Sequence, residues 1–141
     1  MSLKNKKRFL KDLTIIVPSY NRQNYLIRLI KYWRDTGVKL IILDGSSTNL
    51  KKNIKILDKN IKHIHFPSSL YKRLYYSIKL IKTKYVMLGC DDEFYVSSSL
   101  AECVKFLSLN KDFVACTGRA ISFNFKNNSI IANNIYPLLK N

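Results

Sequence analysis

Three carboxylates stand side by side in this chain: Asp91, Asp92 and Glu93, directly after the apolar run Tyr85 to Leu88 and the pair Gly89-Cys90. The whole sequence holds only 9 Asp and Glu against 25 Lys and Arg, so this cluster takes three of nine acids. Adjacent carboxylates repel one another unless positive charge lies among them. A hard divalent cation is the simplest counter-charge, because Mg²⁺ and Mn²⁺ take oxygen ligands and are held by one or two carboxylates plus substrate phosphates. The alternative is a solvated acidic turn favouring the N-terminus of a following helix. Tyr85 to Leu88 reads as a buried strand. Its carboxyl end is where an open α/β sheet binds ligands.

Two more loops carry polar groups of the same kind. Leu13 to Val17 (LTIIV) reads as a strand stopped by Pro18, and Ser19-Tyr20-Asn21-Arg22 forms the loop after it. Val38 to Leu43 (VKLIIL) is a second strand, ending in Asp44-Gly45-Ser46-Ser47. Asp44 there either serves a ligand or caps the next turn. His63 and His65 share one face of a third strand, Ile61 to Phe66. Their HxH spacing suits a metal, but no third ligand is near in sequence, so partly exposed strand histidines are the plainer reading. Cys90, Cys103 and Cys116 form no CxxC pair and are expected as buried free thiols, with Cys90 a packed small residue.

Helices must join these strands. Leu26, Leu29, Ile30 and Trp33 predict a helix over 23–35, with Trp33 in the core and Gly37 as a left-handed cap. A short helix is expected over 49–59. Another is expected over 69–81, with Leu70, Leu74, Ile78 and Ile81 facing inward and Arg73 near its start. A third is expected over 96–109, with Leu100, Cys103, Val104 and Leu107 inside and Ser99 and Glu102 at capping-box spacing. Phe113 to Thr117 reads as a fifth strand, and the segment after Gly118 as a hairpin continuing the sheet. Alternation of this kind implies parallel strands, right-handed crossovers and helices on both faces.

The chain has 141 residues, 47% of them apolar, enough for one domain with a real core and too apolar for disorder. Residues 1–12 are expected as a basic, frayed lead-in. They are not followed by the apolar stretch of a signal peptide, and no run matches a membrane span. The expected location is cytoplasmic, with peripheral association at the inner face of a membrane as a further expectation. The formal net charge of +16 suits nucleic acid, anionic lipid or phosphorylated substrates. Abundant Lys, Asn and Ile also fit a coding bias toward A and T.

In such a sheet the loops PSYNR, DGSS and CDDEF share one edge. The segments TIIVPSYNR, LIILDGSS and YVMLGCDDEF, in this order and spacing, resemble the nucleotide-sugar-binding half of GT-A glycosyltransferases of the family 2 type. The likeness spans roughly residues 13–118. It implies an α/β GT-A (Rossmann-like) fold, with a mostly parallel sheet flanked by helices on both faces, in a single domain over 13–141. It also implies transfer of a sugar from a nucleoside-diphosphate sugar to an acceptor glycan or lipid-linked intermediate, assisted by Mn²⁺ or Mg²⁺. Pro18, Ser19, Tyr20 and Arg22 would lie along the nucleotide, with Tyr20 against the base. Asp44 would accept a hydrogen bond from the base, and Arg73 would approach the diphosphate. Asp91 and Asp92 would meet the donor, and Asp92 and Glu93 the metal.

Two departures qualify the likeness. Asp-Asp-Glu stands in place of Asp-x-Asp, and no acid follows Gly118, so no catalytic base is assigned and the chain is expected to be truncated on its acceptor side. The rival classes are a non-catalytic nucleotide-binding remnant and a basic nucleic-acid-binding module. Against the second, the acids at the ligand edge would repel phosphate, so no nucleic-acid partner is expected. The oligomeric state is left open.

Overall fold

Four short strands build the sheet that carries the three loops. The computed structural model describes residues 3–49 and 59–136. Within them the strands are β1 (Leu13–Ser19), β2 (Lys39–Asp44), β3 (Ile61–His65) and β4 (Tyr85–Leu88). The helices are α1 (Leu3–Leu10), α2 (Gln23–Trp33), α3 (Leu70–Ile78) and α4 (Ser97–Leu109), and β5 (Ala120–Lys126) and β6 (Ser129–Tyr136) follow. The sheet order is β3-β2-β1-β4 and every neighbour pair is parallel. All four carboxyl ends therefore point to one edge, the edge that holds the expected site.

β1 and β2 lie in the middle and are covered on both faces, which explains their unbroken apolar runs. Ile15, Val17, Leu40 and Ile42 face Leu26, Leu29, Ile30 and Trp33 of α2, with Leu10, Ala101 and Val104 in the same cluster. Ile16, Ile41 and Leu43 face the other way, onto Ile64, Leu74, Leu80 and Ile81. Gly37 ends the turn after α2 with φ +91, a conformation that favours glycine. No helix among the described residues is long and apolar enough to cross a membrane.

Several expectations change. Residues 3–10 form a helix packed on α4, not a frayed lead-in, and Leu10 is fully buried. β1 runs through Pro18 to Ser19 rather than stopping before it. β4 is an edge strand, paired only with β1, and its Val86 and Leu88 are exposed. α3 is rotated from the expected orientation: Arg73 and Ser77 are its buried residues, while Leu70 and Ile78 face outward. α4 starts from Val96 without a side-chain cap, so the Ser99 and Glu102 capping box is not formed.

Residues 113–117 form no strand, and the β5–β6 hairpin makes its own two-stranded sheet instead of extending the first. Its turn, Asn127-Asn128, has φ of 51 and 57, the left-handed pair that suits a two-residue hairpin. The thiols are free, but Cys90 and Cys116 are exposed and Cys103 is half-buried. The helix expected over 49–59 lies largely outside the described residues.

Candidate functional site

Two of the acids after β4, Asp91 and Asp92, turn back onto the β1 loop, while Glu93 meets Tyr95. Asp91 is 4% exposed and accepts a 2.6 Å hydrogen bond from the Ser19 hydroxyl. Arg22 spans the pair, with Nη1 3.2 Å from Asp91 Oδ1 and Nη2 2.9 Å from Asp92 Oδ2. Its guanidinium also lies 4.2 Å from the Tyr25 ring centroid. The acids raise the Arg22 pKa above its ordinary value, the hydrogen bond it donates to Asp92 being the largest cause. The counter-charge that the sequence calls for is thus supplied within the chain by a side chain about 70 residues away in sequence.

Helix α2 fastens the same loop. Arg28 Nη2 donates to the Asp91 carbonyl at 3.4 Å, and its guanidinium lies 4.8 Å from the Phe94 ring centroid. The Tyr32 hydroxyl donates to the Tyr95 carbonyl at 2.8 Å. Tyr95 in turn donates from its hydroxyl to Glu93 and accepts from the Cys90 backbone N–H. Burial raises the Tyr95 phenol, and the Glu93 carboxylate adds to that. Burial also raises the Cys90 thiol, followed by the negative charges of Glu93, Asp92 and Asp91. A thiol so placed is a poor nucleophile at neutral pH.

The β2 loop is self-contained. Asp44 is fully buried. Its Oδ1 accepts from the Ser46 backbone N–H at 2.9 Å and from the Ser46 hydroxyl, and its Oδ2 lies 3.0 Å from His63 Nε2. His65 Nε2 lies 2.8 Å from the Ser46 carbonyl. The two histidines of β3 therefore brace the β2 loop and belong to no metal cluster among the described residues. Asp44, expected to meet the base of a nucleotide, is thus enclosed by Ser46 and His63 in this structure.

Burial by itself would raise the Asp44 pKa, but the Ser46 hydroxyl, the Ser46 N–H and His63 together hold it below the ordinary 3.8. A lowered folded value means the stabilisation is complete above the unfolded value and is lost as pH falls through the folded one. The melting temperature should therefore drop on acidification below about pH 4, and Asp44→Asn should flatten that drop. An acid limb identical in the variant would show that Asp44 does not contribute to it.

Arg73, expected to approach a diphosphate, is likewise held by the chain itself. It is 5% exposed, and its Nη1 donates to the carbonyls of Ser19 at 2.7 Å and Leu43 at 2.6 Å. Its Nε donates to the Ser68 carbonyl at 3.2 Å. The guanidinium ties the ends of β1 and β2 together. Gly45 makes room for it, since a Cβ there would fall 2.5 Å from Arg73 Cζ.

Tyr20 is 60% exposed at the head of the β1 loop, with its ring free to cover a flat ligand. Pro18 is half-buried inside β1. A shallow cleft opens beside the acids, lined by Asn21, Arg22, Gln23, Asn24, Tyr25 and Thr48. Asp92 and Glu93 are exposed hard-oxygen donors, the kind that Mg²⁺ or Mn²⁺ accepts when substrate phosphates complete the shell. In kind they fit such an ion. Each is held by a neighbour, Arg22 for Asp92 and Tyr95 for Glu93, and no group of three or more metal-ligating side chains is gathered among the described residues.

A parallel sheet with helices on both faces, and three polar loops converging at its carboxyl edge, is an α/β fold of GT-A, Rossmann-like type. The sequence model described as Glycosyl transferase family 2 matches residues 14–139, and the chain belongs to that family. Comparison with curated proteins finds no match.

Proposed function

We propose that the chain binds a nucleoside-diphosphate sugar at the β1, β2 and β4 loops, together with Mg²⁺ or Mn²⁺, for transfer of the sugar to a glycan or lipid-linked acceptor. The observation that carries this reading is the joining of Asp91 to Ser19 and Arg22 at one sheet edge. Tyr20 covers the base, and Ser19, Arg22 and Asn21 line the path of the diphosphate. A bound divalent cation would supply positive charge to the departing diphosphate.

The chain's own residues set the conditions for that charge to be useful. Arg22 occupies the space between Asp91 and Asp92, and donor binding draws it from the carboxylates onto the diphosphate. Asp92 then becomes available as an oxygen ligand, with Glu93, which Arg22 does not hold, exposed beside it. Asp91 stays as the fixed point, because Ser19 and the Arg28 contact to its backbone hold it in the absence of a donor. Arg73 and Asp44 act behind the site, keeping the β1 and β2 loops in register. In the transfer the bond from the anomeric carbon to the phosphate oxygen breaks, the nucleoside diphosphate leaves with the bonding pair, a bond to an acceptor hydroxyl oxygen forms, and the proton of that hydroxyl passes to solvent.

Melting curves with UDP- and GDP-sugars in the presence of Mn²⁺ test the reading. A donor-dependent rise in melting temperature is expected. The absence of a rise with every nucleotide sugar would contradict it.

A further inference from the structure

The outer face of α3 carries a stripe that the donor site does not use. Tyr71 is 75% exposed, Tyr75 68% and Ile78 62%, at i, i+4 and i+7. The two tyrosine rings stack with centroids 6.3 Å apart. Leu70, half exposed, stands at the start of the helix. The inner face is occupied by Arg73, Leu74 and Ser77, so the stripe is not a core face left bare by a turn of the helix.

The charge around it has one sign. From Lys59 to Cys90 the sequence holds six exposed lysines and no Asp or Glu. Lys72 and Lys79 flank the stripe and Lys82 follows it, with Lys79 Nζ 4.1 Å from the Tyr76 ring centroid. A flat line of tyrosines and aliphatics bordered by lysines has the chemistry of an interfacial helix. Amphipathic rings sit at headgroup depth, aliphatics reach the acyl boundary, and cations meet anionic lipid.

We propose that the outer face of α3 docks on the surface of an anionic lipid bilayer. The exposed aliphatics favour lipid over nucleic acid, where ring stacking and cations would suffice. Arg73, on the inner face of α3, reaches the carboxyl edge of the sheet, so a docked α3 holds that edge one helix diameter, roughly 10 Å, from the headgroups. Its consequence for a lipid-linked acceptor rests on the reading in the previous subsection; the docking itself does not.

Co-sedimentation of the full chain with vesicles, run without nucleotide, tests it. Binding is expected to vesicles of equal parts phosphatidylglycerol and phosphatidylcholine, and not to phosphatidylcholine alone. Replacing Tyr71→Ser and Tyr75→Ser together keeps the charge and should cut partitioning by about tenfold. Phe125→Ser, an exposed aromatic on the β5–β6 hairpin, should leave it unchanged. Lys72→Gln with Lys79→Gln should weaken binding most at low salt. Melting curves of the variants should match the parent, since every substituted side chain is exposed.

Wild-type partitioning by the double tyrosine variant would overturn the proposal, leaving only general attraction of a basic protein. So would failure of the parent chain to bind, or a tyrosine requirement seen with an RNA oligonucleotide and not with vesicles. Loss of donor binding with vesicle binding intact would instead count against the donor site alone.

Discussion

Asp91→Ala is expected to abolish the donor-dependent rise in melting temperature and to lower turnover by on the order of 10²–10³-fold, the scale seen when an electrostatic stabiliser is removed from a transfer site. The effect is large because one buried carboxylate orders two elements. Its Oδ2 fixes Ser19 on the β1 loop, and its Oδ1 is paired with Arg22. Losing the charged acceptor for Ser19 should also cost about 1.5–3 kcal/mol of stability. The Arg22 pairs add little to that figure, because the arginine side chain is 39% exposed and water screens it. Asp92→Ala separates the two effects. Its side chain is 46% exposed, so the parent melting temperature should hold while the donor response is lost. Equal donor responses in Asp91→Ala, Asp92→Ala and the parent chain would remove the acids from the site.

Arg73→Ala should be the most destabilising single change at the sheet edge, by about 1.5–3 kcal/mol for each buried carbonyl that loses its charged donor. It takes the charged donor from the carbonyls of Leu43 and Ser19, the latter keeping the Gly45 N–H, and opens a void beside Gly45. For a domain whose total stability is about 5–15 kcal/mol, that is a large fraction. Arg73→Lys should not restore it, because an ammonium cannot reproduce the planar fork that reaches three carbonyls. Gly45→Ala should act through the same contact by pushing the guanidinium aside, at about 1–3 kcal/mol. Denaturant melts without ligand measure both. If Arg73→Ala kept the parent stability and lost only the donor response, the arginine would be a diphosphate ligand after all.

The two arginines show where sequence is informative and where it is not. β1, β2 and β4 were legible because a strand covered on two faces, or a short run closed by Gly89, leaves a clear apolar signal. The edge position of β4 was not, since YVML reads the same whether one face or two are covered. α3 misled for a specific reason. Its strongest apolar spacing, Leu70, Leu74, Ile78 and Ile81, includes two residues that face outward, while the buried face is built on Arg73 and Ser77. A buried arginine satisfied by main-chain carbonyls has no periodic signature. α1 was missed because LKNKKRFL has few apolar residues; among its described side chains, Leu10 is the fully buried one.

The site was legible as three loops but not as a network. The acids, Ser19, Tyr20 and Arg22 could be named from their segments, and the Asp91–Ser19 and Asp92–Arg22 pairings join positions about 70 residues apart. Arg28, Tyr32 and Tyr95, which brace the loop after β4, carried no signal because ordinary helix and loop residues look the same. His63 hinted at chemistry by its spacing and proved to be the partner of Asp44.

Diffraction from crystals soaked with UDP and Mn²⁺ bears most directly on the account. It predicts diphosphate density between the Ser19–Arg22 loop and Asp91-Asp92, the base against Tyr20, and the Arg22 guanidinium moved from the carboxylates onto phosphate. Nucleotide bound at a different surface, or Arg22 still bridging both aspartates beside a fully occupied nucleotide, would contradict it.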